Sequence, residues 1–184
     1  SVVMSGTILE SSNHSNKSSI IEKIIAGKHQ ISVAYAEPNI GYNFFDCLTS
    51  LSTSGNNLSL NGTKSLVLNG GNADQFIVLA NQDSSSVLIL VDTNVDGLSV
   101  QSFKTIDGQT CAELSFENVS IDSESILATG DEAEAIFNKM INISILCISA
   151  EAVGAMNASY MKTVQYTKER EQFSQPISNF QVLQ

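Results

Sequence analysis

The sequence has few basic residues. It contains nine lysines and arginines against nineteen aspartates and glutamates, which gives a formal net charge of −10. Nucleic-acid binding depends on clustered lysine and arginine that neutralise phosphates, so we expect no nucleic-acid partner. The same charge argues against attraction to an anionic membrane surface. An acidic, soluble surface is the interpretation that remains.

Long apolar runs are also missing. No uninterrupted stretch approaches the roughly 20 apolar residues of a transmembrane helix, so we expect no membrane span. Ser1 begins the chain without a basic segment followed by a long apolar stretch, and no signal peptide is visible. A cytoplasmic protein, or one of the mitochondrial matrix if the source is eukaryotic, is the expectation.

Cysteine and histidine patterns that carry chemistry are absent as well. Cys47, Cys111 and Cys147 lie far apart and outside any C-x-x-C motif, so they are interpreted as small buried hydrophobic residues in a reducing compartment. His14 and His29 have polar neighbours and are expected at the surface. No catalytic triad order, phosphate-cradling glycine loop or metal site is predicted.

The hydrophobic period divides the chain into three parts. Residues 1–30 contain helical spacing that ends at Ala26-Gly27, and residues 31–126 alternate with period two. Asn61-Gly62 between apolar runs predicts a two-residue hairpin. The predicted strands are Ile31–Ala36, Cys47–Thr53, Leu58–Leu60, Lys64–Leu68, Gln75–Ala80, Val87–Val91, Leu98–Gln101, Ala112–Phe116 and Val119–Ile121.

From Asp131 the pattern becomes helical and apolar nearly all round. The spacing predicts one helix over 131–170, about 60 Å long, too long for a small β-domain to cover. The helix is expected to end near Phe173, and Pro176 to open a second helix. The sequence stops at Gln184 inside an apolar pattern, so we interpret it as a fragment whose helices are covered by further sequence or other subunits.

These patterns predict an α and β protein with several domains. Residues 1–30 are the end of an N-terminal helical domain and 31–128 an antiparallel β-barrel. Residues 129–184 begin an α-helical bundle.

Several motifs follow one another in a fixed order. They are A-E-P-N-I-G at 36–41, L-N-G-T-K-S-L-V-L-N at 60–69, A-E-A-V-G at 150–154, Y-T-K-E-R-E-Q-F at 166–173 and P-I-S-N-F-Q at 176–181. The ordered set resembles the acyl-CoA dehydrogenases, flavoproteins of fatty acid β-oxidation, over about residues 18–184. It is most similar to the small subunits of the pimeloyl-CoA dehydrogenase type.

The resemblance implies a fold, a reaction and partners. A β-barrel between helical domains would hold FAD, and acyl-CoA would be oxidised to 2-enoyl-CoA with electrons passing to an electron-transfer flavoprotein or similar acceptor. The subunits would form homo- or hetero-oligomers, dimers or tetramers. The cofactor-binding positions implied are Tyr35, Ala36, Gly41, Tyr42, Val67, Leu68, Asn69, Arg170, Gln172, Phe173 and Gln181.

The sequence departs from the family pattern at four of these motif positions. Ala36 stands where the family pattern has a threonine, and Tyr42 where it has a serine. Leu66 stands where the family has an indole side chain, and Leu68 where it has a side chain with a hydroxyl group. The resemblance places the catalytic glutamate beyond Gln184 or, in a minority, near Ser144, so no catalytic residue is predicted in this chain. Two readings stay open beside the enzyme: a flavin-free partner subunit and a stand-alone β-barrel binding module. For Arg170, an ion pair with a neighbouring glutamate or closure of the helix end is the alternative to a phosphate contact.

Overall fold

The computed structural model describes residues 2–38, 40–41, 43–55 and 57–183. The chain divides into two compact units, Ser1–Ile143 and Ser144–Gln184. The helices are α1 Val2–Ser11, α2 Lys17–Ile25 and α3 Gly130–Glu169. The strands are β1 Ile31–Ala34, β2 Ser50–Ser54, β3 Asn57–Leu68, β4 Gln75–Gln82, β5 Ser85–Asp92, β6 Leu98–Lys104, β7 Thr110–Ile121, β8 Ile126–Thr129, β9 Glu171–Gln172 and β10 Gln175–Pro176.

The predicted glycine at the C-terminal end of the N-terminal helices is confirmed at Gly27. This residue has φ of +67°, a left-handed conformation that glycine adopts without a Cβ clash. Its N–H donates to the carbonyl of Ile24 at 3.0 Å, and the N–H of Lys28 donates to the carbonyl of Lys23 at 2.9 Å. These bonds satisfy carbonyls at the end of α2 and turn the chain towards β1.

The β-domain is one eight-stranded sheet in the order β6-β7-β3-β2-β4-β5-β8, with β1 paired to β4. The predicted β-domain followed by a long helix is confirmed. Most strand pairs are antiparallel, but β4 runs parallel to β1 and to β2, so the sheet is mixed. Strands β4 and β5 are apolar and buried over their central residues on both faces, as central strands require.

Two apolar cores lie on opposite faces of these central strands. We call them the outer core, which contains Ile77 and Leu79 of β4, and the inner core, which contains Phe76 and Val78. Successive side chains of a strand point to opposite faces, so β4 contributes to both cores. The outer core also receives residues of α1, α2 and the start of α3, while the inner core is built from strand residues. The sheet therefore presents a helix-covered face and a face closed by other strands.

The Asn61-Gly62 hairpin prediction is wrong. Both residues lie inside the continuous strand β3, which pairs with β2 and β7 and shifts register between Leu60 and Gly62. Gly62 has φ of +140°, and a Cβ there would lie 2.6 Å from the Cα of Thr49. The glycine therefore serves a β-bulge and a close backbone approach, which a local turn pattern cannot distinguish from a hairpin.

Helix α3 agrees with the predicted 131–170 span to within one residue at each end. Asp131 and Glu132 lie in its first turn, where the helix dipole favours negative charge. In the first unit, Ala133, Ile136, Phe137 and Met140 are buried.

The same helix has a composition that bears on the membrane expectation. It contains an 18-residue window of mean hydropathy 1.4, so by length and composition alone it could cross a membrane. This is weak evidence, since a core helix of a soluble protein passes the same test.

The second unit contains the rest of α3 and a short hairpin. Its large apolar residues are exposed: Ile145, Leu146, Ile148, Val153, Met156, Tyr160, Met161 and Tyr166. Cys147 of this unit is exposed too, so the prediction of a buried cysteine is wrong there, although Cys47 and Cys111 are buried in the first unit. Strands β9 and β10 are joined through Phe173 and Ser174, which both have positive φ as a type I′ turn requires. The helix predicted to open at Pro176 is present only as 3-10 turns, Ile177–Asn179 and Gln181–Leu183, and not as an α-helix. Pro176 ends β10 and precedes a 3-10 turn at Ile177–Asn179.

Candidate functional site

Two of the motifs meet where β1 leaves the sheet. The N–H of Ser65 in β3 donates to the carbonyl of Ala36 at 2.9 Å. The ammonium of Lys64 reaches the carbonyl of Tyr35 at 3.4 Å. We call residues 35–37 and 64–69 the strand-exit site. The fold thus brings the predicted positions Tyr35 and Ala36 against the strand that carries Val67, Leu68 and Asn69.

A buried ion pair lies at the centre of the strand-exit site. Lys64 Nζ and Glu37 Oε1 are 2.7 Å apart, and the two side chains are 0% and 3% exposed. Glu37 also accepts the N–H of Leu48 at 2.7 Å and the N–H of Thr49 at 3.0 Å. The carboxylate therefore has three donors, which offset much of the cost of burying its charge.

The pKa values of the pair follow from these contacts. Burial by itself would raise the pKa of the Glu37 carboxyl, but the hydrogen bonds from Lys64 and Thr49, together with the Lys64 charge, hold that pKa below its ordinary value. Burial lowers the pKa of the Lys64 ammonium, and the Glu37 carboxylate opposes that change. The geometry favours the charged pair, because each ion is the main partner of the other.

A cavity of about 440 Å³ opens beside the pair. Its lining residues are Tyr35, Ala36, Glu37, Ile40, Gly41 and Phe44. The Tyr35 ring packs edge-on against Phe44 at 5.0 Å and Phe137 at 5.7 Å between ring centroids. Burial raises the pKa of the Tyr35 phenol, which therefore stays protonated at neutral pH. Three predicted positions, Tyr35, Ala36 and Gly41, therefore line the same cavity. Tyr42 lies outside the described residues.

The end of β3 presents an apolar surface. Leu66 has φ of +52°, rare for a bulky residue, at the register shift between Lys64 and Val67. Leu66 and Leu68 are 56% and 40% exposed, whereas Val67 is 2% exposed and packs in the inner core. Any contact of Val67 with a cofactor would therefore use its backbone.

Asn69 is held by contacts within the protein. Its side-chain amide donates to Gln30 Oε1 at 2.7 Å, and its Oδ1 accepts from Asn72 at 2.9 Å. Its φ of 59° is a left-handed conformation that asparagine tolerates. These contacts shape the turn after β3, and the predicted cofactor contact of Asn69 stays a prediction.

In the second unit, Arg170 directly follows α3. Its N–H donates to the carbonyl of Tyr166 at 2.8 Å, and its carbonyl accepts the N–H of Ile177 at 2.8 Å. Its side chain is exposed. Among the described residues the guanidinium makes no salt bridge, so pairing with Glu169 or Glu171 is not observed. The helix end is closed by these backbone hydrogen bonds.

The other predicted positions of the second unit lie in and after the hairpin. Gln172 belongs to β9 and donates its side-chain amide to the carbonyl of Glu171 at 2.8 Å. Phe173 is 88% exposed, and its ring packs edge-on against Phe180 at 6.3 Å. Gln181 begins the last 3-10 turn. Their roles toward a cofactor stay predictions.

Sequence reasoning did not include Lys64, Glu37 or Thr49 among the site residues. A signal was present, because Leu60, Gly62 and Lys64 have the period-two spacing of one strand face and Leu60 belongs to the core. A lysine on that face needs a buried counter-charge. Over the described ranges, no cluster of three or more histidine, cysteine, aspartate or glutamate side chains could hold a metal ion.

The strand-exit site fits an aromatic cofactor ring better than a purely polar ligand. Leu66 and Leu68 expose aliphatic surface beside a strand end, which suits a flat ring such as that of a flavin. The exposed guanidinium of Arg170 suits a phosphate group, since its planar fork can donate two parallel hydrogen bonds. The two features lie in different units of the chain.

Comparisons with known proteins agree with this chemistry. The acyl-CoA dehydrogenase middle-domain model matches residues 32–119, and the acyl-CoA dehydrogenase C-terminal-domain model matches residues 135–184. Mitochondrial isovaleryl-CoA dehydrogenase of Pongo abelii is 27% identical over 96% of this chain and 44% of its own length. The chain spans about half the length, or less, of the relatives it matches.

Two solved structures share the fold. Glutaryl-CoA dehydrogenase from Mycobacterium smegmatis, in complex with FADH2, has a TM-score of 0.86 and 27% identity, over 96% of this chain and 46% of that one. A structure of the electron transferring flavoprotein of Acidaminococcus fermentans has a TM-score of 0.86 and 25% identity, over 97% and 49%. With both domain models matched in order, the chain belongs to the acyl-CoA dehydrogenase family.

Proposed function

We propose that the whole protein is an FAD-dependent acyl-CoA dehydrogenase that converts an acyl-CoA to the 2-enoyl-CoA. The substrate loses its α-proton to a carboxylate base and a hydride from the β-carbon, and a carbon–carbon double bond forms. FAD would supply the hydride acceptor. We assign no catalytic base within this chain.

The observation that carries the proposal is the joint match of both domains, in order, to one family of flavoenzymes. A relative of 27% identity has been solved with FADH2, which supports FAD as the cofactor class. The residues of the first unit that would hold its ring are the backbone of Tyr35–Glu37 and the exposed Leu66 and Leu68, while Arg170 would reach the diphosphate of the flavin in a neighbouring subunit.

The proposed reaction is tested on the whole protein. The protein is purified without added flavin, its FAD content is measured by absorbance, and isovaleryl-CoA and glutaryl-CoA are added without oxygen. Bleaching of the flavin absorption together with formation of the 2-enoyl-CoA supports the proposal. Bound FAD that no acyl-CoA reduces contradicts it.

A flavin-free partner subunit is the second candidate. Ala36, Leu66 and Leu68 offer neither a hydroxyl nor an indole at positions where the family pattern has them. A whole protein that never retains FAD, yet co-purifies with a flavin-bearing homologue, would favour this candidate over the enzyme.

Arg170→Ala is expected to weaken FAD retention by the whole protein about 10- to 150-fold. A charge-assisted hydrogen bond to a phosphate is worth about 1.5–3 kcal/mol, at 1.4 kcal/mol per decade. Folding should change little, since both backbone hydrogen bonds of Arg170 survive the substitution. The measurement is flavin content after dialysis.

Two variants control this experiment. Arg170→Lys should restore only part of the retention, because a point charge lacks the bidentate fork. Lys168→Ala removes an exposed cation of the last turn of α3 and should leave retention unchanged. Equal flavin content in wild type and Arg170→Ala would show that the guanidinium does not hold the cofactor.

We further propose that the whole protein is a dimer or tetramer in the cytoplasm, or in the mitochondrial matrix of a eukaryote, and passes electrons to an electron-transfer flavoprotein or similar acceptor. Likeness to the electron transferring flavoprotein of Acidaminococcus fermentans supports a place in such an electron chain. A role in fatty acid β-oxidation would follow from the same reaction.

The 184-residue chain alone is expected to self-associate. Leu146 and Val153 are 68% and 61% exposed, and apolar area of this extent on one helix is rarely left to water. Sedimentation should show dimers or larger species whose amount rises with concentration. Leu146→Lys combined with Val153→Glu should shift the chain towards monomer, and a monodisperse wild-type monomer would contradict the prediction.

A further inference from the structure

The Lys64–Glu37 pair ties together three segments that are distant in sequence. Lys64 belongs to β3, Glu37 follows β1, and the amides of Leu48 and Thr49 precede β2. The Thr49 hydroxyl returns to β3 by donating to the carbonyl of Thr63 at 3.2 Å. The three segments, at Glu37, at Leu48–Thr49 and in β3, are therefore linked to one another by hydrogen bonds of the Glu37 carboxylate and of the Thr49 hydroxyl.

The Glu37 carboxylate also holds both ends of the stretch that contributes residues to the cavity wall. Residues between Glu37 and Leu48 include Ile40, Gly41 and Phe44 of the cavity wall, and both limits of this segment are held by the Glu37 side chain. On the other side, Lys64 and Ser65 hold the carbonyls of Tyr35 and Ala36.

Stability alone does not account for an ion pair at this place. Apolar residues of similar volume are commonly as stabilising as a buried ion pair, or more so. What an ion pair with three donors adds is a fixed direction for each hydrogen bond, and therefore a fixed geometry.

We propose that Lys64 and Glu37 are positioning residues whose ion pair holds the backbone at Tyr35–Glu37 and at Leu48–Thr49 in the geometry that receives the flavin. The proposal rests on the proposed FAD function. Neither side chain is assigned a contact with the cofactor; both act through the backbone of Tyr35–Glu37 and of Leu48–Thr49.

The test measures FAD affinity in the whole protein, by quenching of flavin fluorescence on titration of the apoprotein. Glu37→Gln keeps the size of the side chain but removes the charge and one acceptor, and it should raise the Kd of FAD about tenfold or more. Glu37→Gln combined with Lys64→Met removes the unpaired charge, so it should fold while binding FAD as weakly as the single variant.

Ile89→Ala is the control for general destabilisation. Ile89 is fully buried in the inner core on β5, and its truncation costs stability by leaving a cavity. It should bind FAD with the wild-type Kd under conditions where it remains folded. Saturated Glu37→Gln should also show an altered band shape of the flavin visible absorption, and faster amide exchange at Leu48 and Thr49, both absent from Ile89→Ala.

The outcomes separate the two proposals. Wild-type FAD affinity in both Glu37→Gln and the double variant overturns the positioning role alone. An equal loss of affinity in Ile89→Ala also overturns it, because the effect would then follow stability. A wild-type protein that does not bind FAD at all overturns the proposed cofactor, and the positioning role with it.

Discussion

Lys64→Met is expected to lower the free energy of unfolding by about 3–5 kcal/mol. The substitution leaves the Glu37 carboxylate, 3% exposed, without its counter-charge. The amides of Leu48 and Thr49 continue to donate, but two neutral donors do not replace an ammonium at 2.7 Å. Urea unfolding of the whole protein, followed by circular dichroism, measures the loss.

Lys104→Met provides the matched control. Lys104 ends β6 and is exposed, and an exposed lysine costs less than about 0.5 kcal/mol to replace. Adding Glu37→Gln to Lys64→Met should recover much of the loss, since no ion then remains buried. Equal losses in Lys64→Met and Lys104→Met would show that the buried pair does not contribute as its geometry implies.

The ion pair also predicts a pH dependence. The folded-state pKa of Glu37 lies below its unfolded value of about 4.3, so the unfolded state takes up the proton first as pH falls. The contribution of Glu37 is thus complete above that value and is lost as pH drops through the folded-state pKa. Glu37→Gln should flatten the acid side of the stability profile.

Gly62→Ala is expected to cost about 2–6 kcal/mol, the sum of backbone strain and overpacking. The new Cβ would meet both the Cα and the hydroxyl of Thr49 at 2.6 Å, at a φ of +140°. Backbone cannot rotate away as a side chain can, so Thr49 must shift. Because the Thr49 N–H donates to Glu37, the shift also loosens the ion pair. Urea denaturation of this variant measures the cost.

Gly108→Ala separates strain from crowding. Gly108 also has a positive φ, +80°, but a Cβ there has nothing within 4 Å. It should cost only the strain of an alanine at positive φ, about 1–3 kcal/mol. If the two alanine variants lose the same stability, the approach of Thr49 to Gly62 is not what requires glycine.

Part of the candidate site could be predicted from the sequence. The strings at 36–41 and 60–69 placed Ala36 and Leu68 in one site, and in the structure the N–H of Ser65 does donate to the carbonyl of Ala36. The burial of Lys64 was not predicted, because a lysine is exposed in most contexts. Its counter-charge is 27 residues away along the chain, and only the pairing of strands brings the two together.

The sequence by itself determined the features that depend on neighbouring residues. The change from period two to helical spacing marks α3, which spans Gly130–Glu169, and Ala26-Gly27 ends α2 because glycine tolerates a left-handed φ. Tertiary structure decided the features whose partners are remote. The local sequence at Gly62 is compatible with a hairpin or with a bulge, and the close approach of Thr49 goes with the bulge. Lys64 could lie at the surface until the pairing of strands brought it to Glu37, 27 residues away along the chain. In each case the local pattern allows two outcomes, and contacts distant in sequence select one of them.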